Sequence, residues 1–228
     1  GTPVGVTGLG SGVAAVSSGD DHACALLSNG GVRCWGDNGS GRLGDGTTTD
    51  RLTAVSVSHL AGGEGASAAG AQLVAPGGYH ACAITNGGGV ECWGQNEYGQ
   101  LGDGTTTARS TPVPVHGLSS GVMAIVSGLF HTCALTAAGG VKCWGGNTSG
   151  QLGDGTVTDR TTPVNVSGLT SGVVTLDAGR LHTCAVTSAG GAVCWGENFN
   201  GQLGDGTTTD RTTPTAVSGL TSGVASVT

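Results

Sequence analysis

Lysine is almost missing from this 228-residue chain: Lys142 is the only one, and Lys and Arg together number 8 against 15 Asp and Glu. A formal charge of −7 with so few cations leaves no basic footprint for a phosphate backbone, so no nucleic acid is expected as a partner. No apolar run approaches the roughly 18 residues of a membrane span, and no membrane insertion is expected either. An initiator methionine and a signal peptide are also lacking, since the chain opens on Gly1-Thr2-Pro3. Either a leader has been removed or the residues are an excerpt of something longer. The chain holds no Gly-x-Ser-x-Gly elbow, phosphate loop or His-Glu-x-x-His, so no enzyme activity, cofactor or catalytic residue is expected. Aromatic residues make up only 4%, which lends weight to the few that fall in turns.

Glycine, by contrast, accounts for 47 residues, and it falls at fixed places. A segment of about 51 residues is written four times, with cores HACALLSNGGVRCWG, HACAITNGGGVECWG, HTCALTAAGGVKCWG and HTCAVTSAGGAVCWG starting at His22, His80, His131 and His182. Self-similarity at that period indicates a propeller or solenoid, whose units bury their faces against neighbouring units. In the third and fourth copies, Thr162–Val166, Gly172–Leu176, His182–Thr187 and Gly191–Trp195 read as four short strands, the first opened by Pro163. Short strands with frequent turn signals and no helical period indicate an all-β chain, and four strands per radial repeat make a β-propeller blade. The expected blade cores are 3–50, 51–108, 109–159 and 160–210 within one repeat domain over 1–228, with 211–228 opening a further blade.

The cysteines set the hairpin register. If Cys24 faces Cys34, then Leu27 faces Gly31 and the loop is Ser28-Asn29-Gly30. A three-residue hairpin loop wants a left-handed third residue, and the same register gives Gly30, Gly88, Gly139 and Gly190 there. Opposed antiparallel residues lie within disulfide reach. The assigned bridges are Cys24–Cys34, Cys82–Cys92, Cys133–Cys143 and Cys184–Cys194, with free buried thiols as the alternative. Four bridges imply an oxidising compartment: extracellular, cell surface or periplasmic. A zinc site of His22, Cys24 and Cys34 lacks a fourth ligand and the usual short Cys spacing, so no metal is expected, and the histidines read as structural. Asp45, Thr47 and Asp50 offer oxygens for calcium, but turn capping by Asp beside Gly is the ordinary use. The following arginines, Arg51, Arg160 and Arg211, read as local ion-pair partners. Trp35, Trp93, Trp144 and Trp195 read as packing anchors between blades. Asn38, Asn147 and Asn165 stand in Asn-x-Ser/Thr sequons.

The pattern GGVxCWGxNxxGQLGDGT preceded by HTCALT resembles the repeat of the regulator of chromosome condensation family over nearly the whole chain. The most specific matches are Trp93 to Gly102, Trp144 to Gly153 and Trp195 to Gly204; the first copy has Arg42 where the others have Gln100, Gln151 and Gln202. The resemblance implies a β-propeller, most often of seven blades, and no single activity. The family's eponymous nuclear member is a nucleotide exchange factor that binds chromatin, a role at odds with disulfides and an acidic surface. The cysteine-paired version looks more like secreted bacterial relatives, among them a protein inhibitor of β-lactamases. Seven such repeats need about 357 residues. The segment TPVxVxGLxSGVxxV stands at both ends, Thr2 to Val16 and Thr213 to Val227, as in an excerpt from a longer array. About four blades are therefore expected, part of a larger propeller or an open, self-associating array whose exposed blade faces need a cover.

Two places change chemistry between copies: Asp20-Asp21, Gly78-Tyr79, Leu129-Phe130 and Arg180-Leu181 before the histidine, and Gly39-Ser40, Glu97-Tyr98, Thr148-Ser149 and Phe199-Asn200 between Asn and Gly. Loops on a rigid scaffold display binding residues. Asp20, Asp21, Tyr79, Glu97, Tyr98, Phe130, Arg180 and Phe199 are thus the candidate binding residues, with drift on a tolerant loop as the competing explanation. The second copy is lengthened within residues 59–78, where small residues suggest a protruding loop. The expected function is an extracellular, non-enzymatic module presenting variable loops to a protein or glycan; the alternative is a structural subunit joined blade to blade with other copies.

Overall fold

The computed structural model describes Thr2, residues 4–60 and residues 70–228. The lengthening of the second repeat falls largely at residues 61–69, outside the described residues. Alternating short strands and Gly-bearing turns give four antiparallel sheets of four strands, with no helix among the described residues. The first holds β1 (Val13–Ser18), β2 (His22–Leu27), β3 (Val32–Gly36) and β4 (Arg51–Ser56). The second holds β5 (Ala71–Pro76), β6 (His80–Thr85), β7 (Val90–Gly94) and β8 (Arg109–Pro114). The third holds β9 (Val122–Ser127), β10 (His131–Thr136), β11 (Val141–Gly145) and β12 (Arg160–Asn165). The fourth holds β13 (Val173–Ala178), β14 (His182–Thr187), β15 (Ala192–Gly196) and β16 (Arg211–Ala216). Strands pair in sequence order within each sheet, and β1, β5, β9 and β13 lie side by side around a central channel. This is the β-propeller arrangement.

The central hairpins follow the cysteine register. Cys24 opposes Cys34, and the Leu27 N–H donates to Gly31 O at 2.8 Å. The third loop residue is left-handed in every copy, with φ of 83° at Gly30, 75° at Gly88, 76° at Gly139 and 82° at Gly190. All four bridges are present, their Cα atoms 4.0–4.1 Å apart, as in close antiparallel pairs.

The sheet frame is displaced by one strand from the blade cores expected from the sequence. The Thr162–Val166 segment, taken there as the opening strand of its blade, has Thr162–Asn165 in β12 and closes the preceding sheet, Cys143 opposite Val164. Likewise Arg211–Ala216 does not open a new blade but completes the fourth sheet against β15. The cause is the polar segment after each tryptophan, which folds into a compact turn and sends the chain back antiparallel to the strand it left.

The apolar core lies between the blades. Leu26, Val32, Leu43, Val57 and Leu60 of the first blade pack with Val74, Ala83 and Trp93 of the second, and the next two junctions repeat this set. Each junction is also tied by a polar joint. Trp93 Nε1 donates to Arg42 O, Trp144 Nε1 to Gln100 O and Trp195 Nε1 to Gln151 O, each at 2.9 Å. The indole rests on a bare glycine: a Cβ on Gly44, Gly102 or Gly153 would lie 2.7–2.8 Å from that nitrogen. At two joints a histidine adds a second link. His80 Nε2 meets Thr132 Oγ1 at 2.8 Å and His131 Nε2 meets Thr183 Oγ1 at 3.0 Å, while those hydroxyls donate to Gln100 O and Gln151 O. The first joint has Ala81 in the threonine's place, so both ring nitrogens of buried His22 lack a partner.

Candidate functional site

The turn that follows each tryptophan is a fixed support. Asn38 donates through Nδ2 to Asp45 Oδ1 and to the carbonyls of Thr47 and Thr49, and its Oδ1 accepts from the Leu43 N–H. Asp45 Oδ1 also accepts from the Thr47 N–H and hydroxyl, while Oδ2 is paired with Arg51. Burial pushes the Asp45 carboxyl up, but the bonds from Thr47, Arg51 and Asn38 more than reverse this and hold it below its ordinary value. Arg51 thus pairs with the distant Asp45 and not with its neighbour Asp50, whose Oδ1 caps the Asn38 N–H at 2.8 Å. Oxygens that a calcium ion would need are engaged inside the turn. The buried amides of Asn38 and Asn147 are engaged in the same way, so neither sequon offers a free side chain; Asn165 is exposed.

On this support the variable residues assemble into a ridge. Tyr79 and Phe130, from the pre-histidine loops of adjacent blades, stack with ring centroids 5.5 Å apart and planes at 15°. Tyr98, from the turn of the second blade, tilts against Phe130 at 4.9 Å. The guanidinium of Arg42 lies 4.8 Å from the Tyr79 ring centroid, and its Nη2 pairs with Asp37 Oδ1 at 2.9 Å. A chain of contacts, Asp37–Arg42–Tyr79–Phe130–Tyr98, therefore crosses three blades. All three rings are half-buried, held from below and open above. Gly146 makes room: a Cβ there would lie 3.2 Å from Phe130 Cβ and 3.6 Å from Tyr98 Cβ, and the matching positions hold Asp37, Gln95 and Glu197.

The remaining candidates lie elsewhere. Asp20 and Arg180, from the first and last blades, line the channel mouth, a cavity of about 240 Å³ floored by Gly19, Gly77, Gly128 and Gly179. Backbone bonds knit this mouth, Gly78 N–H to Gly128 O and Leu129 N–H to Arg180 O. Asp21 and Glu97 are exposed, as is Phe199, which makes no ring contact among the described residues. Sequence reasoning singled out Tyr79, Tyr98 and Phe130 but missed Asp37, Arg42 and Gly146 as their supports. Comparing the residue after Trp-Gly in the four copies would have shown the glycine that opens space at Gly146.

The joint histidines are strongly perturbed. Burial is the main cause at each: it holds His80 and His131 near 3 and His22 near 4, with Arg42 adding to the effect at His22. They are neutral at physiological pH. The cysteine sulfurs beside them are oxidised and offer no thiolate to a metal.

A family model described as the RCC1-like domain matches residues 1–228. The Ultraviolet-B receptor UVR8 of Arabidopsis thaliana is 36% identical over 207 residues, covering 90% of this chain and 46% of that protein. The probable E3 ubiquitin-protein ligase HERC4 of Homo sapiens is 36% identical over 209 residues, 90% of this chain and 19% of that protein. The chain thus spans less than half the length of these relatives. Among solved structures, human WBSCR16 superposes with a TM-score of 0.81 at 26% identity, covering 93% of this chain and 55% of that one. Prp20p of Saccharomyces cerevisiae, described with its binding to Gsp1p and histones, superposes with a TM-score of 0.77 at 21% identity, covering 95% and 53%.

Proposed function

Because the chain belongs to the RCC1-like domain family, we propose that it is a non-enzymatic binding module whose partner, a protein, docks on the Tyr79–Phe130–Tyr98 ridge. The observation that carries this reading is the ridge itself: three aromatic rings and an arginine, drawn from adjacent blades and fixed by backbone-anchored turns. Aromatic and arginine side chains dominate binding energy at protein interfaces, and rings immobilised in advance lose little entropy on binding. The binding of Gsp1p and histones named for Prp20p supports a protein as the class of partner. We place the module in an oxidising compartment, outside the cell, at its surface or in the periplasm. Support for that comes from four disulfides in a chain without a free cysteine. One repeat domain spans residues 1–228 in this reading, each blade being a support for one pair of variable loops.

Selection of a random peptide library on the native chain tests it. Enriched peptides are expected to compete for one site and to lose at least about tenfold in affinity against Tyr79→Ala/Phe130→Ala. Enrichment indifferent to that double variant would overturn the site. Ridge-dependent binding on a glycan array, with no peptide enriched, would overturn the partner class.

A further inference from the structure

The charges along the ridge are of one sign. Backbone bonds order its residues blade by blade: the Asp37 N–H donates to Asp21 O, Gln95 N–H to Tyr79 O, Gly146 N–H to Phe130 O and Glu197 N–H to Leu181 O, at 2.7–3.0 Å. Carboxylates therefore stand at both ends of the aromatic row, Asp21 and Asp37 on the first blade and Glu197 on the fourth. Exposed Glu97 adjoins Tyr98 between them. The cations of this face are already committed. Arg42 is paired with Asp37, and Arg51, Arg109, Arg160 and Arg211 each pair with the aspartate of their own turn. Arg180 lies apart, at the channel mouth with Asp20.

One cation seat is formed within the chain itself. The Arg42 guanidinium lies 4.8 Å from the Tyr79 ring centroid, and the Asp37 carboxylate binds its edge at 2.9 Å. The same two partners recur one step along the ridge: Phe130 and Tyr98, centroids 4.9 Å apart and open above, with the Glu97 carboxylate on the next residue. Among the described residues, no cation of the chain lies against these two rings. Polar groups are left over at their base as well. Fully buried Gln100 caps the Tyr98 N–H through Oε1, but its Nε2 donates to nothing among the described residues, and Gln95 Oε1 accepts from nothing. In the flanking blades the counterparts of Gln95 are engaged, Asp37 by Arg42 and Glu197 by Gln202.

We propose that the partner docked on the ridge presents a basic peptide segment, with one arginine laid over the Tyr98–Phe130 pair and bound by Glu97. The inference rests on the binding reading above and names the chemistry of its partner. A planar guanidinium stacks on a ring and offers N–H groups at its edge to a carboxylate, which a lysine ammonium does less well. Further positive charges on the segment answer Asp21, Asp37 and Glu197, whereas an acidic partner would meet like charge at both ends. A main-chain unit of the segment supplies a donor for Gln95 and an acceptor for Gln100.

Peptides whose selection depends on the ridge are expected to be net positive and to contain arginine. A fluorescein-labelled nonapeptide of glycine and serine with three arginines tests the chemistry directly, by fluorescence anisotropy up to millimolar chain. It is expected to bind at least about tenfold more tightly than its citrulline counterpart, which keeps the shape of arginine without the charge. Glu97→Gln should weaken binding about threefold or more and reduce its salt dependence. Tyr98→Ala, which leaves every charge in place, should weaken it about tenfold. An unchanged denaturation midpoint shows that each variant keeps the fold. Ridge-dependent peptides that are neutral or acidic, equal binding of the two nonapeptides, or no binding of either overturns the basic partner and leaves the ridge as a site. Arginine binding unmoved by both variants is diffuse attraction to an acidic surface and overturns the proposal too. Selection that yields no ridge-dependent peptide overturns the binding reading, and this one with it.

Discussion

Lowering the pH from 7.5 to 5.0 should remove a large part of this fold's stability through its buried histidines. His22, His80 and His131 are buried and neutral, held near 4, 3 and 3, whereas an unfolded chain titrates them at the ordinary 6.5. Below 6.5 the unfolded chain takes up a proton at each position that the folded chain refuses, so unfolding gains free energy as pH falls. The slope approaches about 1.4 kcal/mol per pH unit for each histidine. Between 6.5 and 5.0 that is roughly 2 kcal/mol per residue, or about 6 kcal/mol for the three. A domain's whole stability is about 5–15 kcal/mol. The neighbouring charges do not cancel the effect: Arg42 adds to it at His22 against an opposing Asp37, and the other histidines add to it at His80 and His131. Asp45, Asp103 and Asp154 sit below the ordinary 3.8, so their contribution is lost only at lower pH. Urea unfolding followed by tryptophan fluorescence, without reductant, at half-unit steps of pH measures the slope. His131→Asn should reduce it by about one third while leaving a group to face Thr183. Stability that is flat to within 1 kcal/mol from pH 6.5 to 5.0 would refute the reasoning.

Three substitutions test the remaining local arguments by their shift in denaturation midpoint. Ala81→Thr supplies the hydroxyl that His22 lacks and should stabilise by about 1 kcal/mol; no gain would mean the orphaned ring is satisfied some other way. Ala108→Asp gives Asn96 the backbone cap that Asp50, Asp159 and Asp210 give Asn38, Asn147 and Asn198, for a gain of about 1 kcal/mol. His59 is the one described non-glycine residue with a left-handed backbone, φ 57°, where the other repeats place glycine. His59→Gly should stabilise by about 0.5–1 kcal/mol, and a loss would show that the imidazole makes a compensating contact.

The hairpins were legible because Cys24, Cys34 and Gly30 are local: spacing fixes the register, and the register fixes which residue must be left-handed. The sheet frame was not. A Pro-bearing strand such as Arg160–Asn165 fits either edge of a sheet, and only the Asn147–Asp154–Arg160 network, read in three dimensions, turns it back onto β11. The tryptophans were correctly read as anchors between blades, but their acceptors stand 44 or 51 residues away on the main chain, which leaves no trace in composition. A separation of 52 residues hid the histidine–threonine links in the same way. The ridge was half visible: its aromatics stood out against a conservative repeat, but Arg42 looked like a minor departure from glutamine.

That departure shows how one position serves two masters. An indole gripping the peptide oxygen of residue 42 is indifferent to the identity of the side chain, so the repeats carry arginine or glutamine there with the same weld. The arginine of the first repeat reaches upward to Tyr79 while its own backbone fastens one wedge to the next. Adhesion is written in the main chain and recognition in the branch, and that separation lets a duplicated architecture diversify its outer surface with its seams intact.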